Sequence, residues 1–167
     1  AYHKVKIFKN DLQGICDSLV YNTTDSVISF YSAPVLWNIK NQLTANFIKL
    51  ELSNNQLNKM YLEENSFIVA QEDTLHFNQI KGRDMIGNFV ENKLSTINVS
   101  GNGQTIYFIR NKKQQLTGVN KADCSDMNIY ISDSKVRKIA LKSQPDAVLP
   151  PIRDAVDSDL KLRDFNW

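Results

Sequence analysis

Two histidines, two cysteines and a scatter of carboxylates are the side chains of this sequence with chemistry to offer. His3 and His76 lie far apart, and neither stands in a phrase such as His-Glu-x-x-His that would aim two imidazoles at one metal. For nucleophilic catalysis His76 would have to meet a serine or Cys124 in space. Spacing supplies no such pairing, and the expectation is a solvent-facing strand histidine. Asp17, Asp25, Glu51, Glu63, Glu64, Glu72, Asp73, Asp84, Asp123 and Asp126 do not recur at one position of any repeated phrase. Acid–base work on a glycan needs paired carboxylates, whereas these read as turn and strand-edge residues. Cys16 and Cys124 are too few for a disulfide framework and lack metal-type spacing. One long-range bridge and two separate buried thiols both stay open, the second being the plainer reading. No catalytic residue, metal site or cofactor is expected, and the chain reads as non-enzymatic.

Glycine-rich and basic stretches say little more. Gly101-Asn102-Gly103-Gln104-Thr105 lacks the Gly-Lys-Ser/Thr ending of a phosphate cradle and a following helix, so it reads as a hairpin or β-arc turn. Arg110, Lys112 and Lys113 form one short basic cluster, and Arg137 with Lys138 another. Such clusters either discourage edge-to-edge aggregation of sheets or form a rim for phosphates on an anionic headgroup.

These residues must be positioned by strands. Ile48, Leu50 and Leu52 alternate with Lys49 and Glu51, which is strand spacing with one apolar face. Ser53-Asn54-Asn55-Gln56 is a turn cluster, because Asn tolerates left-handed backbone angles. Leu57, Met60 and Leu62 follow, and the sum is strand, tight turn, strand. The phrase from Leu52 to Leu62 recurs from Phe89 to Val99 and from Ile131 to Leu141. Its first, sixth, ninth and eleventh positions are apolar each time, and the copies are about 37 and 42 residues apart, within the range of repeat architectures. Further strands are expected at Val5–Phe8, Leu19–Tyr21, Val27–Phe30, Val35–Trp37, Ser66–Ala70, Leu75–Ile80 and Thr105–Ile109. Many short strands without helical periodicity mean an all-β fold, and the recurrent phrase favours a stacked antiparallel β-repeat.

If the alternation holds, Ile48, Leu50, Leu52, Leu57, Met60, Leu62, Phe89, Leu94, Ile97, Val99, Ile106 and Phe108 form one inward apolar face. It would serve equally as a dry core or as a groove for acyl chains, since burying a methylene is worth about 0.8 kcal/mol in either. The repeat domain is expected to span 1–142. From residue 143 to 167 the text changes, with Pro145, Pro150 and Pro151 blocking regular pairing, and this segment reads as an extended exit. Its end, Phe165-Asn166-Trp167, is apolar enough to suggest that the natural chain continues.

The bulk numbers agree with one soluble-type domain. Of 167 residues, 42% are hydrophobic and 23% charged, ordinary globular values. The 20 basic and 18 acidic residues leave a net charge of +2, which argues against a dedicated nucleic-acid binder. No apolar run approaches the roughly 20 residues of a membrane helix.

In order along the chain, Gly14-Ile15-Cys16-Asp17-Ser18-Leu19-Val20-Tyr21, Asp25-Ser26-Val27-Ile28, Pro34-Val35-Leu36-Trp37 and Asn41-Gln42-Leu43-Thr44 resemble the OstA-like repeat. The version they resemble is that of Bacteroidetes OstA-like proteins, relatives of LptA and of the N-terminal domain of LptD. Gly82-Arg83-Asp84-Met85, Thr105-Ile106-Tyr107-Phe108 and the closing Leu149-Pro150-Pro151 extend the likeness over nearly the whole chain. The resemblance implies a β-jellyroll, or folded "β-taco", in the periplasm, associated with the outer membrane. It further implies lipopolysaccharide held with its acyl chains between two sheets, and pairing with other transport components or with itself by edge-strand addition. Two other readings stand beside it. One is a structural spacer or assembly module with a dry core, the other a glycan-processing β-repeat enzyme.

Overall fold

The computed structural model describes residues 1–9, 12–38, 40–133, 135–143, 145–152 and 160–167. The strands are β1 (Tyr2–Lys9), β2 (Leu12–Asn22), β3 (Val27–Tyr31), β4 (Val35–Asn38), β5 (Asn41–Thr44), β6 (Phe47–Ser53) and β7 (Gln56–Glu63). They continue as β8 (Ser66–Gln71), β9 (Phe77–Gly82), β10 (Asp84–Val90), β11 (Lys93–Arg110), β12 (Leu116–Ser132), β13 (Lys135–Lys142) and β14 (Asp146–Val148).

All pairings are antiparallel, and they form two walls. Sheet one runs β3-β6-β7-β10 to the first half of β11, then to the second half of β12 and β13. Sheet two runs β1 to the first half of β2, then β4-β5-β8-β9, the second half of β11, the first half of β12, and β14. β2, β11 and β12 belong to both walls. They bend across a common seam, so the sheet folds on itself like a hinged cover.

The three recurrent phrases are three hairpins of sheet one. Asn54-Asn55 and Glu91-Asn92 have positive φ at both residues (52° and 58°, 51° and 60°), the two-residue turn that matches strand twist. Asp133 opens the third turn at φ 53°; its partner in the phrase, Ser134, lies outside the described residues. Each hairpin carries a bulge at the same place. Leu52 pairs Leu57 while Glu51 pairs Lys59, Phe89 pairs Leu94 while Asn88 pairs Thr96, and Ile131 pairs Val136 while Tyr130 pairs Lys138. The extra residue (Asn58, Ser95 or Arg137) explains why the sixth and ninth positions of the phrase are both apolar. Without a bulge, residues three apart would face opposite sides.

The seam repeats too. Pairs of positive-φ residues mark it at Ser32-Ala33, Glu64-Asn65 and Gly101-Asn102. Gly101-Asn102-Gly103 is therefore a bend inside the continuous β11, which passes there from one wall to the other: of the two turns expected, the hairpin is excluded and the arc fits. At the crossings that face these pairs the alternation slips by one: Cys16 and then Leu19, Ala45 and then Ile48, Cys124 and then Met127 all join the same core. Backbone bonds tie successive bends together, from Asn46 N–H to Glu64 carbonyl (2.9 Å), Arg83 to Gly101 (2.7 Å) and Ser125 to Ser143 (3.2 Å). Asp84 accepts the Glu64 N–H at 3.0 Å, and Asp126 the Gly101 N–H at 3.1 Å. These two carboxylates occupy one position of the repeat and do one job. The expectation that no carboxylate recurs is thus corrected: their common partner is a backbone amide that the apolar phrase does not include.

From bend to bend, the excursion through sheet one is constant: Asn46 to Glu64, Arg83 to Gly101 and Ser125 to Ser143 are each 18 positions. Through sheet two it lengthens. Ala33 to Asn46 is 13 positions, Asn65 to Arg83 is 18 and Asn102 to Ser125 is 23. The rise from 37 to 42 residues between copies of the phrase therefore goes into sheet two.

The seam is also where the walls stand closest. A Cβ on Gly82 would lie 2.4 Å from Val99 Cγ1, and Val99 is 1% exposed. Gly82→Ala is expected to destabilise the fold by about 1–3 kcal/mol through overpacking, read as a lower urea midpoint at unchanged slope.

Candidate functional site

Between the two walls lies one apolar wedge. Ile48, Leu50, Met60, Leu62, Ile97 and Val99 are buried deep in it, as the alternation predicts, with Ile48 and Leu62 at 0% exposure. Leu57, Phe89 and Leu94, at the hairpin tips, are only partly buried against the same cluster. Leu52 is partly exposed beside its bulge. Solvent access therefore rises from the seam toward the rim. The opposite wall supplies residues that the phrase does not reveal, among them Leu36 and Ile68, and the seam supplies Cys16, Cys124, Met85 and Met127. They escape the repeated pattern because sheet two varies in length and the bends break the alternation. Cys16 and Cys124 are free, buried thiols, and burial pushes both above the ordinary thiol value.

Ile106 and Phe108 are not part of this wedge. Beyond the bend in β11, Thr105 pairs Ala122 and Ile80, with Ile80 packed against the wedge core. The even-numbered neighbours therefore face outward, to a second cluster with Phe67, Val69, Val119 and Leu162. That outer face is covered by residues 160–167. Gln79 anchors them, its amide donating to the Leu160 carbonyl at 2.8 Å and accepting the Leu162 N–H at 2.8 Å. Gln42 donates to the Asn166 carbonyl at 2.7 Å, and the Phe77 ring packs at a tilt against those of Phe165 and Trp167.

The segment from 143 is thus no simple exit. β14 pairs β12 between the prolines, Gly118 bridges Pro151, and the apolar terminal residues pack on their own domain. Residues 144 and 153–159 of that segment lie outside the described residues.

The two basic clusters do not form one rim. Arg110 is held by Glu72 and Asp73 and donates to the Gln114 carbonyl, and Lys112 and Lys113 are exposed in the turn after it. Arg137, the bulged residue of the last hairpin, pairs Asp133 at 2.7 Å. Lys138 pairs Tyr130, on the outer side of sheet one, with its ammonium 5.6 Å from that ring. Burial and the Glu72 charge raise the Tyr107 hydroxyl, and Arg137 is near enough to oppose them.

His76 is likewise displaced from the expected strand face. It closes the turn before β9, with Nδ1 2.8 Å from Asp73 and its ring 4.8 Å from that of Phe108. Leu75, expected in a strand, is exposed in the same turn. Among the described residues no group of three His, Cys, Asp or Glu could hold a metal ion. Open clefts along the seam are lined by charged and amide side chains such as Lys81, Arg83, Gln104 and Asp123, which suits water rather than hydrocarbon.

No family model and no curated protein matches this chain. Among solved structures it is similar to LptH, "the LptA homologous periplasmic component of the conserved lipopolysaccharide transport device from Pseudomonas aeruginosa". Identity is 11% and the TM-score 0.63, over 84% of this chain and 95% of that one. At that identity the likeness establishes the fold: an all-β, stacked antiparallel jellyroll of the OstA/LptA type.

The turn at the end of sheet two gives an acid test. Burial pushes Asp73 up, but the N–H groups of Leu75 and His76 and the His76 ring outweigh it and hold its carboxyl below the usual range. A depressed folded value adds stability that is full above the ordinary carboxylate value of about 4 and is lost as pH falls through the folded one. Asp73→Asn keeps an acceptor for both amides, and acid titration followed by circular dichroism should show a shallower stability loss in that window than for the parent.

Proposed function

We propose that this chain is a non-enzymatic lipid bridge module of the periplasm, holding the acyl chains of lipopolysaccharide or a related lipid between its two sheets. The observation that carries the proposal is the continuous apolar lining of the wedge, closed at the seam and increasingly open toward Leu57, Phe89 and Leu94. An acyl chain entering from the rim exchanges contact with the facing wall for contact with lipid, at about 0.8 kcal/mol per buried methylene. Lipid contact is thus expected along Leu52, Leu57, Phe89 and Leu94 first and Leu50, Met60 and Ile97 deeper. Headgroups would stay outside, where Arg137 and the exposed Lys112 and Lys113 provide cations. The likeness to a periplasmic component of a lipopolysaccharide transport device supports the same reading. The edges also suit a bridge, since among the described residues β13 pairs only β12 and β1 only β2, leaving strands at both ends for addition of another copy or another transport component.

A second reading is favoured by one observation. Ile48, Leu62, Met127 and Ile129 have no solvent exposure, as in a spacer with a permanently dry core.

Photo-crosslinking residues at Leu57, Phe89 and Leu50, with Lys49 and Glu51 as outward controls, separate the two. In the presence of lipopolysaccharide the bridge predicts labelled lipid at the three inward sites and none at the controls. Absence of label at every site would leave the spacer.

A further inference from the structure

The two walls of the wedge differ near the rim in a way that holding hydrocarbon does not explain. On sheet two, Leu36, Leu43, Ile68, Ile80, Thr105 and Ala122 are opposed strand to strand and form one inward row. Leu36, Leu43, Ile68 and Ile80 of that row pack in the wedge core. The next row on the same face lies two residues further from the seam in each strand. It consists of Asn38, Asn41, Ala70, Asn78, Tyr107 and Asn120. Asn38 is opposed to Asn41, Ala70 to both Asn41 and Asn78, and Tyr107 to Asn120. Four amides and a phenol therefore line the upper part of this wall, with no charge among them. Sheet one stays apolar over the same distance, with Phe89, Leu94, Ile131 and Val136 packed against the core at its tips.

The outward face of the same strands sharpens the contrast. Val69, Phe108 and Val119 alternate with Ala70, Tyr107 and Asn120, and are buried on the outer side beside Leu162. Near the rim sheet two is thus polar within and apolar without, the reverse of a sheet closed over a dry core. Asn78 is fixed in place: its oxygen accepts the Phe108 N–H at 2.8 Å and its NH2 donates to Glu72 at 2.9 Å. Tyr107 and Asn120 are partly buried. Among the described residues, neither side chain has a hydrogen-bond partner.

A polar group partly withdrawn from water gains most from a ligand that completes its hydrogen bonds. Amides both donate and accept, so they match carbonyls and hydroxyls together. The ions bordering the row are already engaged, Glu72 by Arg110 and Arg137 by Asp133 at 2.7 Å. Lys40, Lys112 and Lys113 stand beyond the row, exposed in the turns.

We infer that Asn41, Asn78, Tyr107 and Asn120 seat the uncharged linkage of an acylated sugar, the carbonyls and hydroxyls where its chains join the headgroup. This seat rests on the bridge reading and adds an orientation to it. Chains lie against sheet one, the linkage lies against sheet two, and phosphates stay outside with the lysines.

Two amphiphiles of similar chain length test the seat. Decanoyl-N-methylglucamide carries an amide and a run of hydroxyls, and decyltrimethylammonium carries no hydrogen-bonding group. Each is titrated calorimetrically into the full chain below its micelle concentration. The glucamide is expected to bind more tightly and to shift the side-chain NH2 resonances of Asn41 and Asn120 in isotope-labelled protein. Tyr107→Phe and Asn120→Leu each remove one hydrogen-bonding group. Either should weaken the glucamide about three- to tenfold and leave the ammonium compound unchanged. Both positions are partly exposed, so the variants keep the fold, which circular dichroism checks. Equal weakening of both compounds, an unweakened glucamide, unmoved Asn41 and Asn120 resonances, or binding of neither compound would overturn the inference. Crosslinking at Leu57, Phe89 and Leu50 does not pass through this row, so it decides the bridge reading separately.

Discussion

The narrowness of the seam is the constraint on which everything else rests. Where β9, β10 and β11 turn from one wall to the other, there is no room for a methyl group at Gly82. The backbone must also reverse its pleat within two residues. The chain meets that demand with left-handed pairs such as Glu64-Asn65 and Gly101-Asn102. Such bends leave amide groups out of the ladder, and an unpaired amide costs most where water is scarce. Asp84 and Asp126 accept those amides, and Ser66, wholly buried, bonds the Leu62 and Arg83 carbonyls across the same line. A polar seam is thus what allows an apolar wedge to open beside it.

Much of one wall was legible in the residues. The hairpins of sheet one announce themselves because a fixed turn, a fixed bulge and a fixed arm length reproduce the same four apolar positions three times. Sheet two was only partly legible, since its arms change length and share no common phrase. The bends were legible only as alternatives. Gly101-Asn102-Gly103 has the composition of a turn, and local composition does not say whether a chain reverses as a hairpin or folds over from one wall to the other, as β11 does. Ile106 and Phe108 have a different cause. Plain parity carried from Val99 through Gly103 and Thr105 already turns them outward. Their apolar type alone suggested the core, because nothing local shows that the outer face is covered by Leu162, more than fifty residues later.

The terminal segment shows how such a fold handles its second surface. A sheet with one face in the core normally presents polar residues on the other. Sheet two instead carries Val69, Ile106, Phe108 and Val119 there, and a length of irregular chain seals them. Irregular chain offers unsatisfied backbone groups, and Gln42, Gln79 and Lys81 meet them with side-chain bonds. Those amide side chains are buried polar residues whose presence in β5 and β9 has no other evident cause. The terminal segment is thus held by an exchange between apolar faces and well-placed amides, while the two thiols are buried in the wedge core.

The steady lengthening of sheet two gives the trough a direction. Five more residues per excursion make each successive hairpin about two and a half residues taller, or roughly 8 Å at strand rise, while the facing wall keeps its height. A hydrocarbon chain moving along the trough would find one bank climbing beside it, so the depth of shelter depends on how far it has travelled. In the proposed bridge the two mouths would then be unequal, one shallow and one overhung. Copies joined end to end would meet tall bank against short, which makes the junction a step and the whole path polar rather than reversible by symmetry.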